Sequence, residues 1–258
     1  MQSTDALRKQ YLAAMGITTW ERRRGVSGVA AAPSVPVTAV TAAPVSVPPI
    51  PPSIATPASP LVARAASDTG VDIGGMDWDT LARAVSGCTR CDLHQTRSQT
   101  VFGVGPRNTQ WLFVGEAPGA EEDRQGEPFV GPAGQLLNAM LFALGLKRHE
   151  VYIANVLKCR PPNNRDPLPQ EVVSCEPFLL RQIAMLQPRV IVALGRHAAH
   201  SLLKNDLPLG KLRKQQHAYH GIPLVATYHP AYLLRTPGDK GKAWEDLCRA
   251  RAMVKAGT

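Results

Sequence analysis

Four of the five cysteines in this chain fall into two groups that are widely separated along the sequence. Cys88 and Cys91 form a C-x-x-C pair, and Cys159 and Cys175 follow much later. Two thiolates at this close spacing reach one metal group from a single turn, and distant partners tie separate parts of a fold together. The pattern is typical of a zinc site or an iron–sulfur cluster, and four unrelated buried thiols are the alternative. We expect Cys248, in a helix-like stretch, to be a packing residue.

A carboxylate and an aromatic ring follow Gly- and Pro-rich turns. Glu116 lies in the segment Gly-Glu-Ala-Pro-Gly that follows an apolar run, and Phe129 lies in Pro-Phe-Val-Gly-Pro. Glycine lets the backbone bend or approach a ligand closely, and proline fixes its path. Glu116 is therefore a candidate catalytic acid or base, with an incidental acid at a turn as the alternative. Phe129 is a candidate stacking platform for a nucleobase, with core packing as the alternative.

Two further polar side chains end apolar runs. Asn155 closes one run, and burying its amide unpaired would cost about 1–3 kcal/mol, so it must be capped or used. An amide carries a donor and an acceptor, and it can pair with an imide edge such as that of uracil. His229 precedes a proline after another run and can donate to a developing oxyanion. A histidine satisfied within a turn is the alternative for His229.

Apolar runs predict the strands that position these residues. They cover residues 111–115, 151–155, 189–194 and 223–228, and helical spacing covers residues 134–144, 170–186, 196–204 and 242–254. Alternating strands and helices with unbroken Val, Ile and Leu runs predict a three-layer α/β/α sandwich around a mostly parallel four-stranded sheet. Ligands bind beyond the carboxyl ends of such strands, where Glu116, Asn155 and His229 are expected to meet.

Composition divides the chain into three parts. Residues 25–63 contain no charged residue and nine prolines, a composition that breaks helices and sheets and excludes a membrane span. We therefore predict an amino-terminal docking helix in residues 1–26, a disordered Ala/Pro-rich linker in residues 27–70 and a folded domain in residues 71–258. The formal net charge is +9, which suits a polyanionic partner such as nucleic acid.

The beginning of the sequence bears on location. Arg8, Lys9 and the arginines at 22–24 leave no apolar stretch typical of a secretory signal. Disulfide bonds are therefore disfavoured, and we expect a cytoplasmic, nucleoid-associated protein that makes no membrane contact and is a monomer.

The ordered combination of these motifs resembles the family 4 uracil-DNA glycosylases. The resemblance runs from about Cys88 to Val254, and its motifs are the cysteine pair at 88 and 91, Gly-Glu-Ala-Pro-Gly at 115–119, Glu-Asp at 122–123, Pro-Phe-Val-Gly at 128–131, Ala-Asn at 154–155, Lys-Cys-Arg-Pro-Pro at 158–162, Cys175 and His-Pro-Ala-Tyr-Leu-Leu at 229–234.

The resemblance implies a fold, an activity and a cofactor. Uracil formed by cytosine deamination would be flipped out of DNA, and its N-glycosidic bond hydrolysed to leave an abasic site, which begins base excision repair. A structural four-iron, four-sulfur cluster would be held by Cys88, Cys91, Cys159 and Cys175.

Roles for single residues also follow from the resemblance. Phe129 would stack on the flipped base, Asn155 would read its imide edge, and the backbone at Glu116 and Ala117 would bind a carbonyl. His229 would stabilise the departing uracil anion, while Glu116 would position water or stabilise the cationic sugar. Glu122 would exclude the thymine methyl group.

The segment after His229 would contact DNA. Tyr232, Leu233, Leu234 and Arg235 would fill the gap left by the flipped base and reach phosphate. One relative of the family traps DNA covalently through a histidine in a basic insertion. Residues 160–174 read as an ordinary loop without that insertion, and Ala117 stands where that relative has glutamine. Turnover is therefore favoured over trapping.

The amino-terminal segment suggests a partner. Met-Gly-Ile-Thr-x-Trp at 15–20 is similar to the segment of the psi subunit of bacterial replicative polymerase that engages the clamp loader. A clamp loader or another replication protein is therefore the predicted partner of residues 1–26, and a helix folded back on the catalytic domain is the alternative.

Two other classes of function fit part of the sequence. A non-enzymatic adaptor that binds single strands would explain the basic charge, the cysteines and the tail, but would not need Glu116, Asn155 and His229. A zinc-stabilised hydrolase of another substrate would leave Phe129 and Asn155 unexplained.

Overall fold

The computed structural model describes residues 72–256. The predicted docking helix and linker, residues 1–26 and 27–70, lie outside the described residues. Within residues 72–256, no helix is both long enough and apolar enough to cross a bilayer.

A mostly parallel sheet forms the centre of the domain. Its strands are β1 (Trp111–Gly115), β2 (Tyr152–Asn155), β3 (Val190–Leu194), β4 (His217–Tyr219) and β5 (Ile222–Thr227), in the spatial order β2-β1-β3-β5-β4. All neighbours are parallel except the pair β4 and β5. The first three strands are buried throughout, as unbroken apolar runs require when helices cover both faces.

The α/β/α prediction is confirmed, and the strand count is corrected from four to five. The additional strand β4 has only three residues and pairs antiparallel with β5 at one edge of the sheet. His217 and Ala218 are not fully buried, so β4 carries none of the apolar pattern that marks the central strands.

Eight helices surround the sheet in the described part of the chain. They are α1 (Trp78–Ser86), α2 (Ala120–Gln125), α3 (Pro132–Leu144), α4 (Pro169–Leu186), α5 (Arg196–Leu203), α6 (Leu209–Leu212), α7 (Pro230–Arg235) and α8 (Lys240–Ala256). Short 3-10 turns occupy Ile73–Gly75, Asp92–Gln95, Arg148–Glu150, Pro162–Asn164 and Pro237–Asp239. The four predicted helices are α3, α4, α5 and α8, and their bounds agree to within about two residues.

Local sequence explains where helix α3 begins and ends. Pro132 is its first residue, where a missing N–H costs nothing, and Gly145 follows its end at φ 80°. That left-handed conformation lets the amide of Gly145 bond back to the last turn and stop the helix.

Two apolar cores lie on opposite faces of the sheet. On one face, Phe113 and Val192 pack with α3, Leu233 of α7, and α8. On the other face, Leu112 and Ile191 pack with α4 and α5. This arrangement leaves the carboxyl ends of the strands as the open edge of the domain.

A third apolar cluster includes Cys159 and Cys175, and the other two predicted metal ligands, Cys88 and Cys91, pack against it. Leu81 and Val85 of α1 pack with Phe178 of α4 and with Cys159 and Cys175. Helix α1 begins after Asp77, whose carboxylate accepts a hydrogen bond from the amide of Thr80 at 2.7 Å. Helix α1 was not among the predicted helices, and it packs against the cysteines.

Candidate active site

A cavity of about 750 Å³ opens at the carboxyl ends of β1, β2, β3 and β5. We call it the central cavity. After β1 the chain adds β2 on one side of it and then returns to add β3 on the other side. Open α/β sheets bind ligands at the carboxyl ends of strands where the strand order reverses in this way. Eight of the predicted site residues line the central cavity: Glu116, Ala117, Glu122, Phe129, Asn155, His229, Tyr232 and Arg235.

Asn155 ends strand β2 at the floor of the central cavity. It is paired in register with Gly115 and is only 2% exposed, and its Oδ1 has no hydrogen-bond partner. A Cβ atom at Gly115 would lie 2.4 Å from that Oδ1 and 2.7 Å from Cζ of Phe129. Glycine at position 115 therefore lets the Asn155 amide and the Phe129 ring approach each other. A buried oxygen without a protein donor is expected to accept a hydrogen bond from a ligand.

The loop that carries Phe129 is held by Glu122. Its Oε1 accepts hydrogen bonds from the amides of Val130 at 3.0 Å and Gly131 at 3.1 Å, and its Oε2 accepts one from Gly119 at 3.1 Å. Phe129 itself has φ 55°, a left-handed conformation that a bulky residue rarely adopts. These bonds make Glu122 a positioning residue for the aromatic ring.

His229 faces the ring of Phe129, with the two ring centroids 5.5 Å apart. Its Nδ1 accepts a hydrogen bond from the amide of Ala231 at 3.1 Å and so caps α7. Burial, and then the nearby cation Arg235, lower the pKa of His229 to about 4. The imidazole is therefore neutral near pH 7, with its proton on Nε2, where it can be donated.

Glu116 follows β1 directly, at the same edge of the sheet as Asn155, which ends the neighbouring parallel strand β2. Burial raises its pKa to about 7, and the neighbouring Asp166 raises it further than Arg196 lowers it. A carboxyl group with this pKa can accept a proton near neutral pH, as a general base must.

Three residues beside Glu116 were not identified from the sequence. Asp166 lies in the loop before α4, and Arg196 and His197 lie in the first turn of α5. Oδ2 of Asp166 is 3.2 Å from Nε2 of His197 and 3.5 Å from Nη2 of Arg196. Arg196 and His197 follow β3 closely, and that position could have identified them as it did Glu116, whereas Asp166 lies in a long loop and has no such signal.

The rim of the central cavity corrects one predicted DNA contact. Leu233 is 1% exposed and packs in the core, whereas Leu234 is 45% exposed. Helix α7 has only six residues, and two neighbouring residues on it can face the core and the solvent respectively. Spacing along the sequence does not show which of the two leucines is buried. Leu233 is therefore a packing residue, and Leu234 takes its place at the surface with Tyr232 and Arg235.

The four predicted cysteine ligands line one small cavity outside the central cavity. Among residues 72–256, no three of their sulfurs lie within 4.8 Å of one another. Four thiols at one small cavity are a suitable donor set for a metal group. Cys248 is exposed, so the expectation that it packs in the core was wrong.

Lys158 lies between the cysteines and the central cavity and is 1% exposed. Its ammonium donates to the carbonyl oxygen of Asn155 at 3.0 Å and to Oε1 of Gln182 at 2.6 Å, and its amide donates to Sγ of Cys175 at 3.3 Å. Sγ of Cys159 accepts a bond from Arg97 at 2.9 Å. Two of the four sulfurs, those of Cys159 and Cys175, therefore have donors that suit anionic ligands.

Comparisons with known proteins agree with this geometry. Residues 102–248 match the model of the uracil DNA glycosylase superfamily. The chain is 47% identical over 167 residues to a type-4 uracil-DNA glycosylase of Archaeoglobus fulgidus, covering 62% of this chain and 84% of that protein.

Two further relatives place the chain within the superfamily. Identity is 42% over 181 residues to the type-4 uracil-DNA glycosylase of Thermotoga maritima, covering 69% of this chain and 94% of the relative. It is 34% over 146 residues to a type-5 uracil-DNA glycosylase of Pyrobaculum aerophilum, covering 50% of this chain and 64% of the relative. The chain belongs to the uracil DNA glycosylase superfamily and, within it, to the type-4 uracil-DNA glycosylases.

Proposed function

We propose that this protein is a DNA repair enzyme that hydrolyses the N-glycosidic bond between uracil and deoxyribose and leaves an abasic site. The observation that carries this proposal is the buried, unpaired Oδ1 of Asn155, set beside the ring of Phe129 in the central cavity. A flipped uracil supplies the missing donor from its imide N–H, and Phe129 stacks on its face. Substrate binding therefore satisfies an atom that is costly to leave unpaired.

His229 and Glu116 have complementary roles in the bond-breaking step. As the N-glycosidic bond breaks, its electron pair leaves with uracil, and Nε2–H of neutral His229 donates to the uracil oxygen that gains negative charge. Preorganised donors of this kind are worth about 2.7–4 kcal/mol each in comparable sites. The carboxylate of Glu116 faces the cationic sugar and the water that attacks it. The backbone of Ala117 and the carboxylate of Glu122 shape the pocket around the base.

A four-iron, four-sulfur cluster held by Cys88, Cys91, Cys159 and Cys175 completes the proposed enzyme. Support comes from the meeting of all four cysteines at one small cavity, from the donors beside Cys159 and Cys175, and from the similarity to type-4 uracil-DNA glycosylases. When bound, the cluster supplies a structural cross-link rather than reaction chemistry. It ties α1 and α4 to the segment that follows Asn155.

DNA would reach the central cavity across α7. Tyr232, Leu234 and Arg235 occupy the rim, and an exposed apolar side chain there can fill the space left by the flipped base. The net charge of +9 favours the approach of DNA. We further propose a cytoplasmic, nucleoid-associated monomer whose residues 1–26 bind a clamp loader or another replication protein. Failure of a residue 1–26 peptide to capture clamp loader at physiological salt would refute that partner.

The decisive experiment measures free uracil released from a uracil-containing oligonucleotide. Wild-type protein should release uracil, and Glu116→Ala and Asn155→Ala should abolish or greatly slow release without loss of fold. Binding of DNA without release by the wild type would instead favour the non-catalytic adaptor.

A further inference from the structure

Three side chains in the central cavity converge on one point next to the proposed reaction centre. One carboxylate oxygen each of Glu116 and Asp166 and one ring nitrogen of His197 all lie within 4.8 Å of one another. The three residues follow β1, β2 and β3 respectively, so the three adjacent central strands bring them together.

The spacing fits one small molecule bound between the three groups. Asp166 and His197 are 3.2 Å apart, and an oxygen of Glu116 lies within 4.8 Å of both, so one small molecule beside the three groups can reach each of them at about 2.8 Å, which is hydrogen-bond distance. A divalent cation is disfavoured because the guanidinium of Arg196 lies 3.5 Å from Asp166 and 3.0 Å from Nε2 of His197. A neutral molecule that both donates and accepts hydrogen bonds meets no such repulsion.

We propose that Asp166 and His197, together with Glu116, hold the water molecule that attacks C1′ of the deoxyribose. This inference rests on the proposed glycosylase function and assigns its nucleophile a binding site. Glu116 is the residue that takes the proton, and Asp166 and His197 are positioning residues.

Asp166 is exposed, but the loop that carries it is anchored. The neighbouring Arg165 makes two hydrogen bonds to the buried carboxylate of Glu171, at 2.6 and 2.9 Å, and a third to the carbonyl oxygen of Asp166 at 3.0 Å. Glu171 also accepts a bond from the amide of Leu168 at 2.8 Å. The loop is therefore preorganised, as a water site requires.

The chemical step balances with these groups. The water oxygen bonds to C1′ as the bond from C1′ to the uracil nitrogen breaks and its electron pair leaves with uracil. One water proton passes to the carboxylate of Glu116, and the other remains on the hydroxyl of the abasic sugar. A hydrogen bond donated by the ring N–H of His197 to the water oxygen, and one accepted by the carboxylate of Asp166 from the water, would keep the remaining lone pair directed at C1′.

The test compares His197→Ala and Asp166→Asn with wild type in single-turnover uracil release. Both variants should slow the reaction about 10- to 100-fold at saturating enzyme, with the affinity for uracil-containing DNA changed less than threefold. His200 and Asp206 form a matched pair outside the central cavity, 4.0 Å apart, so His200→Ala and Asp206→Asn should react at the wild-type rate.

The pH profile separates positioning from a merely structural effect. Charged or titratable groups around Glu116 come from every element that lines the central cavity: Glu122, Arg165, Asp166, Arg196, His197, His229 and Arg235. Loss of the Asp166 charge should move the acid limb of the rate profile to lower pH, while His197→Ala should leave its position unchanged.

Two outcomes would overturn the inference. The first is wild-type rates and an unmoved acid limb in both variants. The second is a loss of activity after treatment with a chelator that leaves the iron content intact, followed by recovery of activity when Mg²⁺ is added. In that case the three groups would hold a cation. A wild type that releases no uracil would refute the proposed function instead, so the two failures are distinguishable.

Discussion

At the scale of single residues, burial moves the two proposed reacting groups in opposite directions. The pKa of Glu116 is raised to about 7, and that of His229 is lowered to about 4. In both cases the uncharged form is favoured because the cavity replaces water around the side chain. His229 therefore stays a neutral donor across the physiological range, and Glu116 alone changes protonation there.

The raised pKa of Glu116 predicts that its ionised form, which the reaction uses, destabilises the folded protein. Its folded pKa lies above the ordinary value of 4.5, so the free energy of unfolding falls as pH rises from about 4.5 to 7. Glu116→Gln cannot ionise, so its free energy of unfolding does not fall in this way. With an allowance for solvent screening, the variant should be about 1–2 kcal/mol more stable than wild type at pH 8 and as stable as wild type at pH 4. Urea titration at both pH values measures the difference, with Glu121→Gln as the exposed control. A less stable variant at pH 8 would contradict the assignment.

The side chain of Asn155 is predicted to be needed for activity but not for the stability of the fold. Because no protein group donates a hydrogen bond to its Oδ1, Asn155→Ala should lose at least about 100-fold in uracil release, while the melting temperature stays within a few degrees. Asn138→Ala, which removes a surface contact to Arg148, is the matched control. A large loss of stability with normal activity would show that the amide serves the fold.

At the scale of elements, helix α2 and the loop before α3 act as one unit through Glu122. Glu122→Ala leaves three backbone amides without their acceptor, so we expect a loss of about 1–3 kcal/mol in stability. Phe129 would lose its support, and the KM for uracil-containing DNA should rise. Glu121→Ala changes an exposed neighbour and should do neither. Chemical denaturation and steady-state kinetics together check both effects.

At the scale of the whole molecule, the cysteines join α1 and α4 to the end of β2. Cys91→Ser should remove most of the iron and inorganic sulfide bound per chain and lower the melting temperature, because separate elements lose their common anchor. Cys248→Ser changes an exposed thiol and should retain the metal and the wild-type melting temperature. Equal iron in both variants would contradict the assignment of the ligands.

Much of the architecture could be predicted because the central strands are continuous apolar runs, which are informative without any knowledge of neighbours. β4 was missed for the opposite reason. It has no strong pattern of its own, because its three residues form a strand only through pairing with β5. α1 does carry local signals, since Asp77 caps its start and Leu81 and Val85 lie one turn apart on its buried face, so it could have been predicted. Leu233 was misassigned because the choice between Leu233 and Leu234 depends on the orientation of α7 against the core.

The sequence by itself determined the fold class, the family and the residue types available for chemistry, since strand patterns and ordered motifs are local properties. Only the tertiary structure decided that Asp166 and His197 approach Glu116, that Oδ1 of Asn155 stays unpaired and that Lys158 connects the cysteines to Asn155. The approach of Asp166 and His197 to Glu116 joins segments that follow different strands, so it depends on the order and register of strands in the sheet. The bond from Lys158 to Asn155 is local in sequence, but it depends on the burial of the Lys158 side chain. Burial, which sets the two opposite pKa shifts, is likewise a property of the assembled fold.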